Sequence, residues 1–348
     1  MGNPPLARHP LRHGPGRWVV LLLASCLALA AVLAGLLGWA SHPVRPGDNT
    51  AVRVVIPKGA SVQDIGRLLH GQGLIRSPLV FRALAEWSGT AASLQAGEYD
   101  FSPGLTLSEI IRRLARGEVV TYPFTIPEGY TVTQIADLLA NQGLADRDRF
   151  LAAASRAELA PVPIPDSGQV RYPLEGYLFP DTYRVPRGLS EPELVSLMVR
   201  RFQEVFTSEM QGRSRELGLT PHQLVTLASV VEKETGVPEE RPLVAGVFWN
   251  RLRRGMLLQA DPTVRYAADN FDRPLSRRDL QVDSPYNTYR YPGLPPGPIA
   301  NPGAAALQAV LQPTQTDYLY FVARGDGTHK FSRTLPEHLE AVRLYRGR

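Results

Sequence analysis

Residues 57–74, PKGASVQDIGRLLHGQGL, recur as PEGYTVTQIADLLANQGL at 127–144, an offset of 70 without a gap. A chain that repeats one pattern at a fixed offset builds the same small element twice. A looser third copy, GLTLSEIIRRLARG, starts at Gly104. Each copy carries one helix-start device. Ser61 is followed three residues later by Asp64, Thr106 by Glu109, and Thr131 by Gln134. The hydroxyl caps the N3 amide, and the acid or amide at N3 reaches back to the cap. Ile65, Leu68 and Leu69 then share a helical face, as do Ile135, Leu138 and Leu139. Gly73 and Gly143 are plausible stops. VRVVI (52–56) and YPFTI (122–126) read as strands ahead of the two helices.

A strand, a turn and an amphipathic helix make a small α+β unit. This pattern resembles the LysM module over roughly 51–145, which implies binding to N-acetylglucosamine-containing wall glycans. A spacer without a ligand is the competing reading. The repeat domain is expected over 51–155, after a polar linker at 41–50, SHPVRPGDNT. RAELAPVPIPDSGQ, 156–169, is rich in proline and reads as the connector to a second domain over 170–348. The expected fold class is α+β throughout, behind a single N-terminal transmembrane helix.

That helix is WVVLLLASCLALAAVLAGLLGWA, 18–40, which contains no charge. Its length of about 34 Å exceeds a bilayer core of about 30 Å. Trp18 and Trp39 mark its ends, and Arg8, Arg12 and Arg17 precede it with no acid among them. The positive-inside rule puts the N-terminus in the cytoplasm and the rest outside, anchored in the inner membrane. A cleaved signal peptide has a shorter apolar stretch. An acylated Cys26, within LASC, would leave the apolar residues after it unexplained. Cys26 is the only cysteine, so the exported part depends on packing rather than disulfides. Of the net charge of +5, the first seventeen residues hold +3. The remaining excess is small and interspersed, which argues against a nucleic-acid partner.

In the C-terminal part, Thr220 and Gln223 form another capping box, with Pro221 at N1. The helix is expected from Pro221 to about Thr235, ahead of Gly236. Leu224, Leu227, Ala228 and Val231 make its apolar face, and Lys233 points away. Glu232 and Glu234 stand on opposite shoulders. A carboxylate at a helix C-terminus meets the negative dipole end, and burial against valines also disfavours its charge. Both effects prepare a general acid. Glu232 follows the apolar run directly and is the preferred acid; Glu234 is nearer the frayed end and reads as solvated.

LEGYLFPDTYRVP (174–186) sets Glu175 and Asp181 among aromatics. FWNRL (248–252) and LLQADPTVRY (257–266) add Asn250, Gln259 and Asp261. SPYNTYRYPGLPPGPIANPG (284–303) contributes Tyr286, Asn287 and Tyr289. Rings stack on sugar faces, and amides bind hydroxyl and acetamido groups. Prolines that merely fix a loop are the plainer explanation of the last segment.

These motifs, with ASVVEKETG and YLYFVARGDGTHKFSRTLPEH, occur in an order that resembles the endolytic murein transglycosylase family, MltG or YceG-like. The resemblance spans about 170–345. It implies a mixed α+β catalytic domain acting on nascent peptidoglycan strands beside wall synthases such as class A penicillin-binding proteins. The family's catalytic glutamate is carried over to Glu232. Such enzymes cleave between N-acetylmuramic acid and N-acetylglucosamine without adding water. One acid protonates the leaving oxygen, and the muramic C6 hydroxyl closes a 1,6-anhydro ring. Glycosidases generally need a second carboxylate. Glu175, Asp181 or Asp261 in that role would turn the site to hydrolysis.

No HExxH pair occurs among the seven histidines, so a catalytic zinc is not expected. RGD at 324–326 lies between two probable strands and reads as a hairpin turn. Lys233, between two acids, is a poor Schiff-base lysine for pyridoxal phosphate, and no cofactor is expected. A non-catalytic wall-binding scaffold that recruits synthases is the alternative function.

Overall fold

The computed structural model describes residues 16–165 and 168–346. The expected basic tail, with Arg8 and Arg12, lies outside the described residues up to residue 15, as do Asp166 and Ser167 of the expected connector. The chain divides into two compact units, up to Tyr122 and from Pro123 onward.

The first unit opens with helix α1 (Gly16–Ser41). Its stretch from Trp18 to Ser41, with mean hydropathy 2.8, is long and apolar enough to cross a membrane. The first repeat copy then folds as β1 (Val52–Ile56), α2 (Val62–Gly71), α3 (Pro78–Trp87) and β2 (Gly97–Phe101). β1 and β2 pair antiparallel, with Val54 opposite Tyr99. The third copy is α4 (Leu107–Arg116), which begins with its capping box at Thr106. The apolar faces meet in one core that contains Ile65, Leu69, Phe81, Tyr99, Ile110 and Leu114.

The second copy runs β3 (Tyr122–Thr125), α5 (Val132–Asn141), α6 (Arg147–Ala154) and β4 (Thr182–Val185). β3 pairs with β4, so both copies share the order βααβ. The expected boundary at 156–169 therefore falls inside the second copy, between α6 and β4. Phe124, Ile135 and Leu139 of this copy pack with Leu174, Leu178, and Val195 and Met198 of α7 (Glu191–Val205). The closing strand lies far downstream of a proline-rich stretch, and that stretch has the composition of a linker.

After α7 come α8 (Ser208–Glu216), α9 (Pro221–Glu234), α10 (Arg241–Arg253) and α11 (Asp261–Ala267). A long irregular segment leads to α12 (Ala304–Leu311), the hairpin β5 (Tyr320–Ala323) and β6 (His329–Ser332), and α13 (Leu335–Arg346). α9 starts with the Thr220 box and Pro221, and every residue from Leu224 to Val231 is buried. A helix apolar on all sides belongs in the middle of a core; α10 and α12 pack on it. In the hairpin Phe321 faces Phe331, and the RGD sequence lies in its turn.

Gly176 of the LEGY motif has φ +89, and a Cβ there would lie 2.5 Å from Pro298 Cγ and 2.9 Å from Val225 Cγ1. Gly176→Ala is expected to cost about 2–4 kcal/mol, from a left-handed backbone plus overpacking against α9. A fall in the urea midpoint measures it.

Candidate active site

Two adjoining cavities open at the C-terminal end of α9. The larger, about 410 Å³, is walled by Glu234, Arg251, Gln259, Asp261, Tyr289 and His329 among others. The second, about 320 Å³, has Lys233, Glu234, Asp261, Arg265, Phe271 and Ile299 in its walls. Glu234 and Asp261 belong to both.

The loop between α10 and α11 is held in an uncommon conformation. Gln259 has φ +50, which costs a side-chain-bearing residue about 1 kcal/mol or more. Its backbone N–H donates to Thr288 O at 3.1 Å, and the next N–H, of Ala260, donates to Thr288 Oγ1 at 3.0 Å. Its Oε1 accepts from Arg251 Nη1 at 3.2 Å. Arg251 is itself buried and also donates to the carbonyls of Leu257, Leu258 and Leu319. These bonds turn Gln259 into the cavity and start α11 at Asp261. The Tyr289 hydroxyl donates to Asp261 Oδ1 at 2.6 Å and fixes that carboxylate.

Glu232 lies two residues before Glu234 in α9 and has a different environment. Its Oε1 accepts from Arg241 Nη2 at 2.9 Å, and its Oε2 accepts from the Gly303 N–H, at the start of α12, at 3.0 Å. Its side chain is only 5% exposed. Burial raises its pKa, against the lowering effects of the Gly303 N–H and Arg241, while Glu128 adds to the rise. Glu128, from the second repeat's PEGY turn, approaches the same guanidinium at 3.5 Å. Beside it, Lys233 Nζ donates to Gly129 O at 3.1 Å, and Gly129 N–H donates to Asn301 O at 2.9 Å. The repeat turn, the end of α9 and the start of α12 are thus tied together. Glu232 is part of that tie and lines neither cavity.

Of the eight expected sugar contacts, Gln259, Asp261 and Tyr289 reach the larger cavity. Glu175, Asp181, Asn250, Tyr286 and Asn287 line neither. Glu175 is 1% exposed. Its carboxylate accepts from Val132 N–H at 3.0 Å, Tyr266 OH at 3.1 Å and Asn301 Nδ2 at 3.1 Å. It joins α5, α11 and the 301–303 segment, and burial pushes its pKa up to about 8. Asp181 pairs with Arg201 at 2.6 Å and caps Thr182 N–H. Asn250 donates to the carbonyls of Thr316 and Tyr318. Asn287, fully buried, donates to Leu280 O and Val282 O. Tyr286 packs on Tyr266, ring centroids 4.9 Å apart. Amides and aromatics suit a sugar site, but amides also close irregular backbone, as the bonds of Asn250 and Asn287 do here.

Sequence reading preferred Glu232 and did not select Arg251 or His329, which line the larger cavity with Glu234. The available signal was spacing: from 232 to 234 a helix turns by about 200°, so two such glutamates leave the helix in nearly opposite directions. Among the described residues no cluster of His, Cys, Asp or Glu is arranged to hold a metal ion.

The model of the YceG-like family matches residues 54–344. An endolytic murein transglycosylase of Bacillus subtilis is 35% identical over 87% of this chain and 87% of its own length. One from Streptococcus pneumoniae is 34% identical over 81% of this chain, which spans only 56% of that longer protein. The crystal structure of a YceG-like protein from Listeria monocytogenes superposes with a TM-score of 0.59, at 34% identity, over 84% of this chain and 99% of that one. The resemblance read from the C-terminal motifs is borne out along nearly the whole sequence, and the chain belongs to the YceG-like family.

Proposed function

We propose that this protein is an endolytic murein transglycosylase in which Glu234 is the acid. The observation that carries this reading is that Glu234 and Asp261 are walls common to both cavities. A glycan running through the two would have its scissile bond beside those carboxylates. Glu234 protonates the glycosidic oxygen as the bond to C1 of N-acetylmuramic acid breaks. The C6 hydroxyl of the same sugar attacks C1, and Glu234 recovers a proton from it as the 1,6-anhydro ring closes. No water is consumed. Asp261, oriented by Tyr289, stabilises the positive charge that develops at C1.

A second reading keeps the acid at Glu232, and its burial and raised pKa favour it. Its bonds to Arg241 and Gly303 speak for the tie instead. The βααβ order of the repeats supports the LysM-like reading, and α1 supports a membrane anchor that holds the enzyme where wall synthases extrude new strands. Cleavage there terminates strand elongation.

The test is product analysis by mass spectrometry, with the full-length protein on uncrosslinked glycan strands. Internal fragments ending in 1,6-anhydro-N-acetylmuramic acid are expected. Reducing ends alone would make the enzyme a hydrolase, with Asp261 as the second carboxylate. Absence of product would leave a wall-binding scaffold.

A further inference from the structure

We propose that His329, held by Glu240, is a glycan-binding residue of the larger cavity, which accepts a hydrogen bond from a sugar hydroxyl through Nε2. This rests on the reading of that cavity as a glycan site. Glu240 commits both oxygens to one residue. Oε1 accepts from the His329 backbone N–H at 2.9 Å, and Oε2 faces His329 Nδ1 at 2.7 Å. The two side chains are only 10% and 13% exposed. A carboxylate can only accept, so Nδ1 carries the hydrogen, and in the neutral imidazole Nε2 is left with a lone pair.

Among the described residues Nε2 makes no hydrogen bond. Phe321 meets the ring edge-on at 5.4 Å, and Phe331 lies 6.3 Å away, so the ring's plane is set. His329 lines the same cavity as Glu234, Gln259, Asp261 and Tyr289. Two of its neighbours are already engaged: Asp261 Oδ1 accepts from Tyr289, and the Gln259 oxygen accepts from Arg251. A hairpin strand could close over this cavity with an apolar side chain. Instead a charged group is sequestered to aim one ring nitrogen, a costly arrangement unless a ligand uses it. The chemistry selects the ligand class. A lone pair wants a donor, so a hydroxyl fits and a ligand carboxylate, which has no hydrogen to give, does not.

The test uses the full-length protein and uncrosslinked peptidoglycan strands. Strand binding is measured in a Glu234→Gln background and KM in the otherwise native enzyme. His329→Ala is expected to weaken binding and raise KM about tenfold, the worth of one hydrogen bond, with kcat changed about twofold or less. His329→Gln, whose amide oxygen reaches the Nε2 position, is expected to recover most of the affinity. Unchanged binding in His329→Ala, or equal loss in both variants together with equal loss of melting temperature, would overturn the assignment. The binding arm does not depend on which glutamate is the acid. Full cleavage by Glu234→Gln would refute that role and leave the His329 result to be judged by itself.

Discussion

Glu234→Gln is expected to lower the rate of strand cleavage about a thousandfold, with the melting temperature nearly unchanged. Glutamine keeps the shape of the side chain but cannot deliver a proton to the leaving oxygen. Glu232→Gln should behave in the opposite sense. Its amide oxygen can still accept from Gly303 N–H, but the charge opposite Arg241 is gone from a nearly buried pair. Removing one partner of such a pair costs about 3 kcal/mol or more, and the loss appears first as stability. Cleavage by that variant should fall about tenfold or less, because the end of α9 shifts without losing the proton donor. The two variants assayed in parallel separate the readings. Abolished cleavage in Glu232→Gln with an intact melting curve, beside an active Glu234→Gln, would transfer the acid to Glu232.

Glu175→Ala is expected to be strongly destabilising. It strands Val132 N–H, Tyr266 OH and the Asn301 amide in a site closed to water. With about 1–3 kcal/mol for each buried group left unpaired, a loss of about 3 kcal/mol is a low figure. It corresponds to a melting temperature lower by about 6–12 °C. Glu175→Gln separates charge from shape. Burial raises the folded pKa from the ordinary 4.5 to about 8, so between those values the folded chain binds more protons than the unfolded one. The contribution of this side chain is then fully present below about pH 4.5 and is lost as pH rises towards 8. The protonated oxygen can donate to the Tyr266 hydroxyl, which turns to accept. Urea unfolding from pH 5 to pH 8 should show a decline in the native protein that Glu175→Gln flattens. An identical decline in both would assign the pH dependence to other groups.

Local sequence rules located helices and turns well. The capping boxes at Ser61, Thr106, Thr131 and Thr220 all start helices, because such a box needs only four consecutive residues. The strand Val52–Ile56 and the hairpin around RGD were legible for the same reason. Pairing partners were not. β3 finds β4 across two helices and a proline-rich stretch, and nothing local at 122–126 announces which segment will lie beside it. In the site, residue type was a poor guide to depth. Asn287 and Tyr289 are two positions apart in one loop, yet one is fully buried and the other lines the cavity. Glu232 and Glu234 differ in the same way. The apolar run that recommended Glu232 is what buries it with Arg241, while the last turn of α9 places Glu234 in the walls of both cavities.

The repeat turn that reaches Arg241 and Asn301 has a consequence for how such proteins diversify. The earlier copy, complete with its own paired strands and core, is free to be swapped, duplicated or lost by recombination. The later copy has no such freedom, since excising it as a cassette would tear out a strand's partner and the turn that ties the end of α9 to the start of α12. Inheritance should therefore hold the two halves to different tempos, the first drifting in length and sequence while the second is kept in step with the helices it braces.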